Sequence, residues 1–176
     1  MGRIPEQSMS TAEKEERLNQ YMKEYRTSLI RMAYLYIGDR ATAEDVVQET
    51  FIKAYLHMDT FRGDSSEKTW LMRIAINTCK SLKRTLWMRK LREMLPLEAI
   101  EDHGAEDAYQ DDTVIQAVIQ LPEKYKQVVL LKYYQEMKIP EIAEVLGISI
   151  PATNSRLNRA KEKLRISLKE WYFDDE

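Results

Sequence analysis

One cysteine, Cys79, is all the chain has, so neither an internal disulfide nor a thiolate metal cluster is available to it. Five glycines and five prolines in 176 residues leave little material for a turn-rich fold. No run of β-branched residues alternates as a half-buried strand does. No stretch approaches the roughly 20 apolar residues of a spanning helix, and the N-terminus has no apolar core of signal-peptide length. The chain therefore reads as soluble and cytoplasmic, a setting in which a single reduced thiol is at home. Also missing are a glycine-rich phosphate loop, a nucleophile elbow and any acid–base constellation. The two histidines, His57 and His103, lack partners at ligand spacing. No enzymatic activity, metal or cofactor is expected.

Nor is there much net charge: 27 Lys and Arg stand against 29 Asp and Glu, giving −2 and a pI of about 5.9. That balance hides a segregation. Lys80, Lys83, Arg84, Arg89, Lys90 and Arg92 form a basic run without an acid. Glu93, Glu98, Glu101, Asp102, Glu106, Asp107, Asp111 and Asp112 follow without a base. Arg156, Arg159, Lys161, Lys163 and Arg165 restore positive charge, diluted only by Glu162. Basic, acidic, basic is the layout of two modules facing nucleic acid, separated by an acidic strap.

Leu, Ala, Glu, Lys, Arg and Met supply most of the rest, which predicts an all-α protein. The expected organisation is a mobile tail over 1–11, a helical domain over 12–92, an acidic linker over 93–111 and a second helical domain over 112–172. In the first domain Leu18, Tyr21, Met22, Tyr25, Leu29, Met32, Ala33 and Tyr36 mark one face of a long helix ended by Gly38-Asp39. Thr42 is the expected cap of a second helix, with Asp45 three residues on. Val46, Val47, Thr50, Phe51, Ala54 and Tyr55 form its inner side. After the loop Asp59 to Ser66, a third helix carries Leu71, Ile74, Ala75, Thr78, Leu82 and Leu86 inward. Arg73, Asn77, Lys80 and Arg84 recur at steps of four, three and four, so they share another, outward face. Cys79 lies next to the inner stripe and reads as a small core residue.

Near the C-terminus, EIAEVLGISIPATNSRLNRAKEKLR (Glu141 to Arg165) reads as a helix-turn-helix. Pro140 opens the first helix and Ile142, Ala143, Val145 and Leu146 face inward. Gly147 makes the turn, and Ile148 packs between the helices. Ser149 caps the second helix, so Pro151 falls in a first turn whose N–H groups have no intrahelical partner anyway. Thr153, Leu157, Ala160 and Leu164 point inward, whereas Asn154, Ser155, Asn158 and Arg159 point outward beside Arg156. A plain helical hairpin with a solvated basic face is the alternative. Collection of the bases on the second helix and the acids on the first favours the DNA reader.

Two motifs in fixed order carry a family likeness. AEDVVQETFIKAY (Ala43 to Tyr55) with FRGDSSEKTWLMRIAIN (Phe61 to Asn77) resembles region two of bacterial RNA polymerase sigma factors of the extracytoplasmic-function group. LPEKYKQVVLLKYYQEMKIPEIAEVLGISIPATNSRLNRAKEKLR resembles their region four. The resemblance spans about Leu18 to Leu168. It implies a promoter-specificity subunit that docks on core RNA polymerase, opens the minus-ten element with region two and reads the minus-thirty-five element with region four. It also implies an anti-sigma factor, often membrane-bound, and a linker that threads the polymerase's positive channel.

In that light Asp45, Gln48, Glu49 and Ile52, on the second helix, are the expected polymerase-docking residues. Phe61, Arg62, Arg73, Asn77, Lys80 and Arg84 are the expected minus-ten residues. Base capture needs stacking surfaces and polar edges, which Phe61 and Asn77 offer, while the cations neutralise phosphate. Trp70, beside the inner stripe, reads as core. Glu67 stands where similar proteins usually carry an aromatic, and as an acid it would repel phosphate. Asn154, Ser155, Arg156, Asn158 and Arg159 are the expected minus-thirty-five residues. Two readings compete with this one. The first is a helix-turn-helix repressor or activator that binds duplex DNA without polymerase. The second is a helical regulator that binds only proteins.

Overall fold

The computed structural model describes residues 9–92 and 112–173. The acidic strap expected over 93–111 lies outside these residues, as does most of the N-terminal tail. Among the described residues the chain is helical throughout: α1 (Thr11–Ile37), α2 (Arg40–His57), α3 (Glu67–Arg92), α4 (Asp112–Gln120), α5 (Glu123–Val129), α6 (Ile139–Leu146) and α7 (Ile150–Phe173). A short 3₁₀ turn, Met58–Thr60, follows α2, and a π-helical segment, Leu130–Tyr134, continues α5. No described helix is long and apolar enough to cross a membrane.

The end of the expected tail is anchored. Ser10 caps α1 in a reciprocal capping box: Glu13 N–H donates to Ser10 Oγ at 3.3 Å, and Ser10 N–H donates to Glu13 Oε2 at 2.8 Å. Met9 N–H donates to Asp59 Oδ1 at 3.1 Å, and Lys14 pairs with the same carboxylate. The second helix also begins earlier than Thr42. Asp39 is its cap, accepting from Thr42 N–H at 2.7 Å, which leaves Thr42 in the first turn. Asp is at least as good an N-cap as Thr, so the earlier residue takes the position. Gly38 ends α1 at φ 88°, a left-handed conformation that favours glycine.

Helices α1, α2 and α3 pack together, as do α4 to α7, and the two groups meet along α1 and α3. Leu29, Met32, Ala33 and Tyr36 of α1 are buried as expected, but Met22 is exposed. From α3, Leu71, Ala75 and Thr78 are buried together with Met72, Ile76 and Cys79. That pattern is wider than the single stripe read from the sequence, because α3 is covered by α2 on one side and by α6 on another. One hydrophobic cluster runs from Tyr21 through Met72 to Val128, Leu131, Ile142 and Leu157, so the modules share a core. At about 25 cal/mol per Å² of apolar area, that burial is the main force holding the helices together.

Polar groups cross the same seam. The Tyr36 hydroxyl donates to Glu123 Oε1 at 2.5 Å and accepts from Gln127 Nε2 at 3.0 Å. Lys126, only 4% exposed, donates to the Tyr36 carbonyl at 3.3 Å. Burial, aided by the charge of Lys83 and opposed by Glu123, pulls the Lys126 ammonium down to about 8. The lysine is therefore easier to charge unfolded than folded. Between about pH 8 and the ordinary lysine value near 10.4, the unfolded chain binds more protons, and stability from this group rises with pH. Below pH 8 the full penalty is present. Wild type is thus expected to gain about 1–3 kcal/mol relative to Lys126→Met between pH 7.5 and 10.5. Urea unfolding of both proteins across that range measures it; parallel profiles would show that the ammonium is not desolvated.

Candidate nucleic-acid interfaces and docking groove

On α2, Asp45, Gln48 and Glu49 are exposed at steps of three and one, because Val46, Val47 and Thr50 take the buried side. Ile52 is 48% exposed, and Leu56, which the sequence reading passed over, is 65% exposed. These positions share one helix face, where acid gives way to apolar surface over about three turns. The opposite wall comes from Thr78, Ser81, Leu82 and Thr85 of α3. With Asp45, Gln48, Glu49, Ile52 and Lys53 of α2 they line an open groove of about 380 Å³, and Leu56 lies one turn beyond it. On the α3 wall Thr78 and Leu82 were expected only as part of the inner stripe, and Ser81 and Thr85 carried no expectation. Glu49 pairs with Lys53 at 3.4 Å and Glu44 with Arg40 at 3.6 Å, both across exposed turns where such pairs contribute little. An acidic rim around apolar side chains suits a basic, amphipathic helix.

The loop Asp59 to Ser66 does not project as a free arm. Phe61 is half-buried, its ring centroid 5.2 Å from that of Trp70, which in turn lies 6.4 Å from Tyr21. Trp70 is thus a packing residue on which Phe61 leans, and Arg62 remains exposed. Ser66 caps α3 by accepting from Thr69 N–H at 3.1 Å. Glu67 turns toward α1 and pairs with Arg17 at 3.4 Å, so its charge is answered within the chain. The nearby Tyr21 phenol is pushed well above its ordinary value, by burial first and then by the Glu67 carboxylate.

Along the outward face of α3, Asn77 and Arg84 are exposed and Lys80 is half-buried. Arg73 also reaches solvent, its side chain 40% exposed, but it is paired within the chain. Its Nη2 donates to Glu144 Oε1 at 3.0 Å and to the Glu144 carbonyl at 3.2 Å, both on α6. The basic face therefore divides into a half engaged by the helix-turn-helix and a half open to solvent. Cys79, fully buried on the other side, has its thiol pushed up to about 12 by burial and behaves as a core residue.

In the second module Pro140 lies in the first turn of α6, and Glu141 Oε2 accepts from Lys138 N–H at 2.7 Å. Gly147 takes φ 64° at the turn. Ser149 Oγ accepts from Ala152 N–H at 3.2 Å, which caps α7 and seats Pro151 without cost. Thr153, Leu157 and Ala160 are buried. Asn154, Ser155, Asn158 and Arg159 are exposed and Arg156 is half-buried. Burial pushes the Tyr125 phenol of α5 up, but the neighbouring cations Arg159 and Lys124 outweigh it and leave it below its ordinary value. Lys163 sits 5.7 Å from the same ring, so α5 braces the cations of α7 from behind.

The chain matches the family described as Sigma-70 region 2 over residues 21–89 and that described as Sigma-70, region 4 over residues 111–164. It is 32% identical to RNA polymerase sigma factor SigV of Bacillus subtilis, the match covering 82% of this chain and 87% of that protein. It is 30% identical to the ECF RNA polymerase sigma factor SigW of the same organism, over 83% and 86% of the two chains. In three dimensions it resembles the sigma factor RpoE of Bartonella quintana, solved in complex with the anti-sigma factor NepR. That likeness has a TM-score of 0.72 at 25% identity and covers 88% of this chain and 98% of the other. With both regions matched in order and their helices in place, the chain belongs to the sigma-70 family, in its extracytoplasmic-function group.

Proposed function

We propose that this chain is a promoter-specific initiation factor that acts only through core RNA polymerase and has no catalytic activity of its own. Residues 12–92 act as region two, docking by the α2–α3 groove and capturing the minus-ten element along α3. Residues 112–172 act as region four, reading the minus-thirty-five element with α7. The observation that carries this reading is the pairing, on one three-helix module, of an acidic docking groove with a separate basic face, followed by a helix-turn-helix. A stand-alone repressor has no use for the groove. A regulator that binds only proteins has no use for two basic faces.

An anti-sigma factor is the natural antagonist, by analogy with the NepR complex of the Bartonella protein. The family likeness extends this to a membrane-bound partner acting on a cytoplasmic factor. Transcription from a promoter library with purified core polymerase, with and without the chain, tests the function. Initiation at a defined promoter set only when the chain is added is the expected result. Tight duplex binding that core enzyme does not alter would instead identify a repressor.

The α7 face sets a narrower expectation. Asn154 and Asn158 are one turn apart and both exposed. Asparagine pairs with the N6 and N7 edge of adenine, whereas the lysine or arginine more usual at the Asn154 position favours guanine or phosphate. Substitution Asn154→Lys with Asn158→Ala is expected to shift the selected upstream bases away from adenine, at about 1–3 kcal/mol per bidentate pair. Selection from a randomised upstream element reads this out, and an unchanged base preference would rule out asparagine readout.

A further inference from the structure

Toward its C-terminal end α3 carries two side chains that neither the core nor the docking groove uses. Trp87 is 59% exposed, and Met88 beside it is 43% exposed. Leu82 and Leu86, both half-buried, hold the inner side of this stretch, so the core has no need of the indole. Its ring meets no other aromatic ring among the described residues. At about 100° of rotation per residue, Trp87 stands roughly 200° round the axis from Thr85, a groove residue, and so faces away from the groove. It continues instead the line of Asn77, Lys80 and Arg84, one turn past Arg84. Met88 flanks Arg84 on the other side. No Asp or Glu follows Glu67 anywhere in α3, so this apolar pair sits at the end of a purely cationic stripe. Such a combination suits a polyanion that also presents flat apolar faces, which is DNA with bases leaving the stack.

We propose that Trp87 is a stacking residue for the edge of the opened promoter, where paired DNA gives way to the melted minus-ten segment. Arg84 meets the adjoining phosphate, and Met88 fills the step beside the indole. Direction along the helix sets this place. The proposed base-capturing groups, the loop Asp59 to Ser66 and Asn77, lie toward the N-terminal side. Trp87 lies about 15 Å further along α3 than Asn77, about four base steps, on the side where the strands are still paired. An aromatic ring there covers the last base pair and offsets the stacking that it loses when its neighbour opens. The contact reads no base identity; it fixes where opening stops.

This role rests on the reading of α3 as a DNA-facing helix in a polymerase complex, and the test separates the two. Core polymerase loaded with the chain is titrated with two forms of one promoter recovered from the library. One form is fully duplex. The other is forked, single-stranded from the minus-ten element on, with 2-aminopurine at the first unpaired position. Trp87→Ala is expected to lose about tenfold or more in fork affinity and to keep duplex affinity within about twofold. It should also leave the 2-aminopurine bright where the wild-type indole quenches it. Trp87→Phe should restore most of the fork affinity, and Trp87→Leu should not. Core affinity and melting temperature should match wild type in all three, because the side chain is exposed. Equal fork affinity of Trp87→Ala and wild type would overturn the proposal, as would rescue by leucine. Loss of core affinity would make Trp87 a protein contact and overturn it too. If the wild-type complex neither binds the fork nor initiates, the initiation role itself is refuted and the stacking role falls with it.

Discussion

Reversing Lys80 and Arg84 together (Lys80→Glu, Arg84→Glu) is expected to abolish open-complex formation while core polymerase binding persists. The two side chains lie one turn apart on the half of α3 that the second module leaves open, Arg84 exposed and Lys80 half-buried. Two cations become two anions, a local change of four charges on a face proposed to lie along phosphates. Charged hydrogen bonds contribute about 1.5–3 kcal/mol each, so losing both lowers the yield about a hundredfold or more, before repulsion is added. Because phosphate contacts release counterions, the residual activity of single variants should also fall less steeply with salt than that of wild type. Permanganate footprinting of the melted strand measures the first effect, and a binding titration with core enzyme measures the control. If core binding is lost instead, this face belongs to the polymerase contact.

The complementary substitution acts on the other side of the same module. Asp45→Arg with Glu49→Arg is expected to weaken core polymerase binding at least about thirtyfold, because opposed charge at a desolvated contact costs about 2–5 kcal/mol. The fold should survive, since both residues are exposed and the Glu49–Lys53 pair is a surface one. Glu44→Arg provides the comparison: Glu44 is on the same helix but does not line the groove, and its effect should be several times smaller. A second test removes apolar surface without changing charge. Ile52→Ala should reduce core affinity and leave melting temperature nearly unchanged, because Ile52 lines the groove yet is 48% exposed. Equal affinity of the Asp45/Glu49 variant and wild type would exclude α2 as the docking face.

What was legible in the chain and what was not divides along physical lines. Helix faces follow from a fixed period of 3.6 residues, so the inner sides of α2 and α7 and the outward stations of Asn77, Arg84, Asn154 and Asn158 could be read directly. Caps are local chemistry too, and Ser149, Gly147 and Pro140 took their expected places. Thr42 did not, because Asp39, three residues earlier and the stronger cap, takes the position. The α3 wall of the groove, where Thr78 and Leu82 read simply as inner-stripe residues, was not recognised for another reason. A groove is a property of two helices side by side, and each wall alone looks like an ordinary amphipathic face.

The sequence by itself determined the helices, the two basic modules, the family and the residue types on each face, since all of these depend on neighbours within a turn or two. Only the tertiary structure decided that Lys126 and Gln127 are buried, that Glu67 is answered by Arg17 and that Arg73 is held by Glu144. Those facts depend on which surfaces meet across 50 to 90 residues of chain. No local pattern encodes such a meeting. Burial and partners, and with them the charge state of a lysine or the freedom of an arginine to reach DNA, follow from packing rather than from spacing.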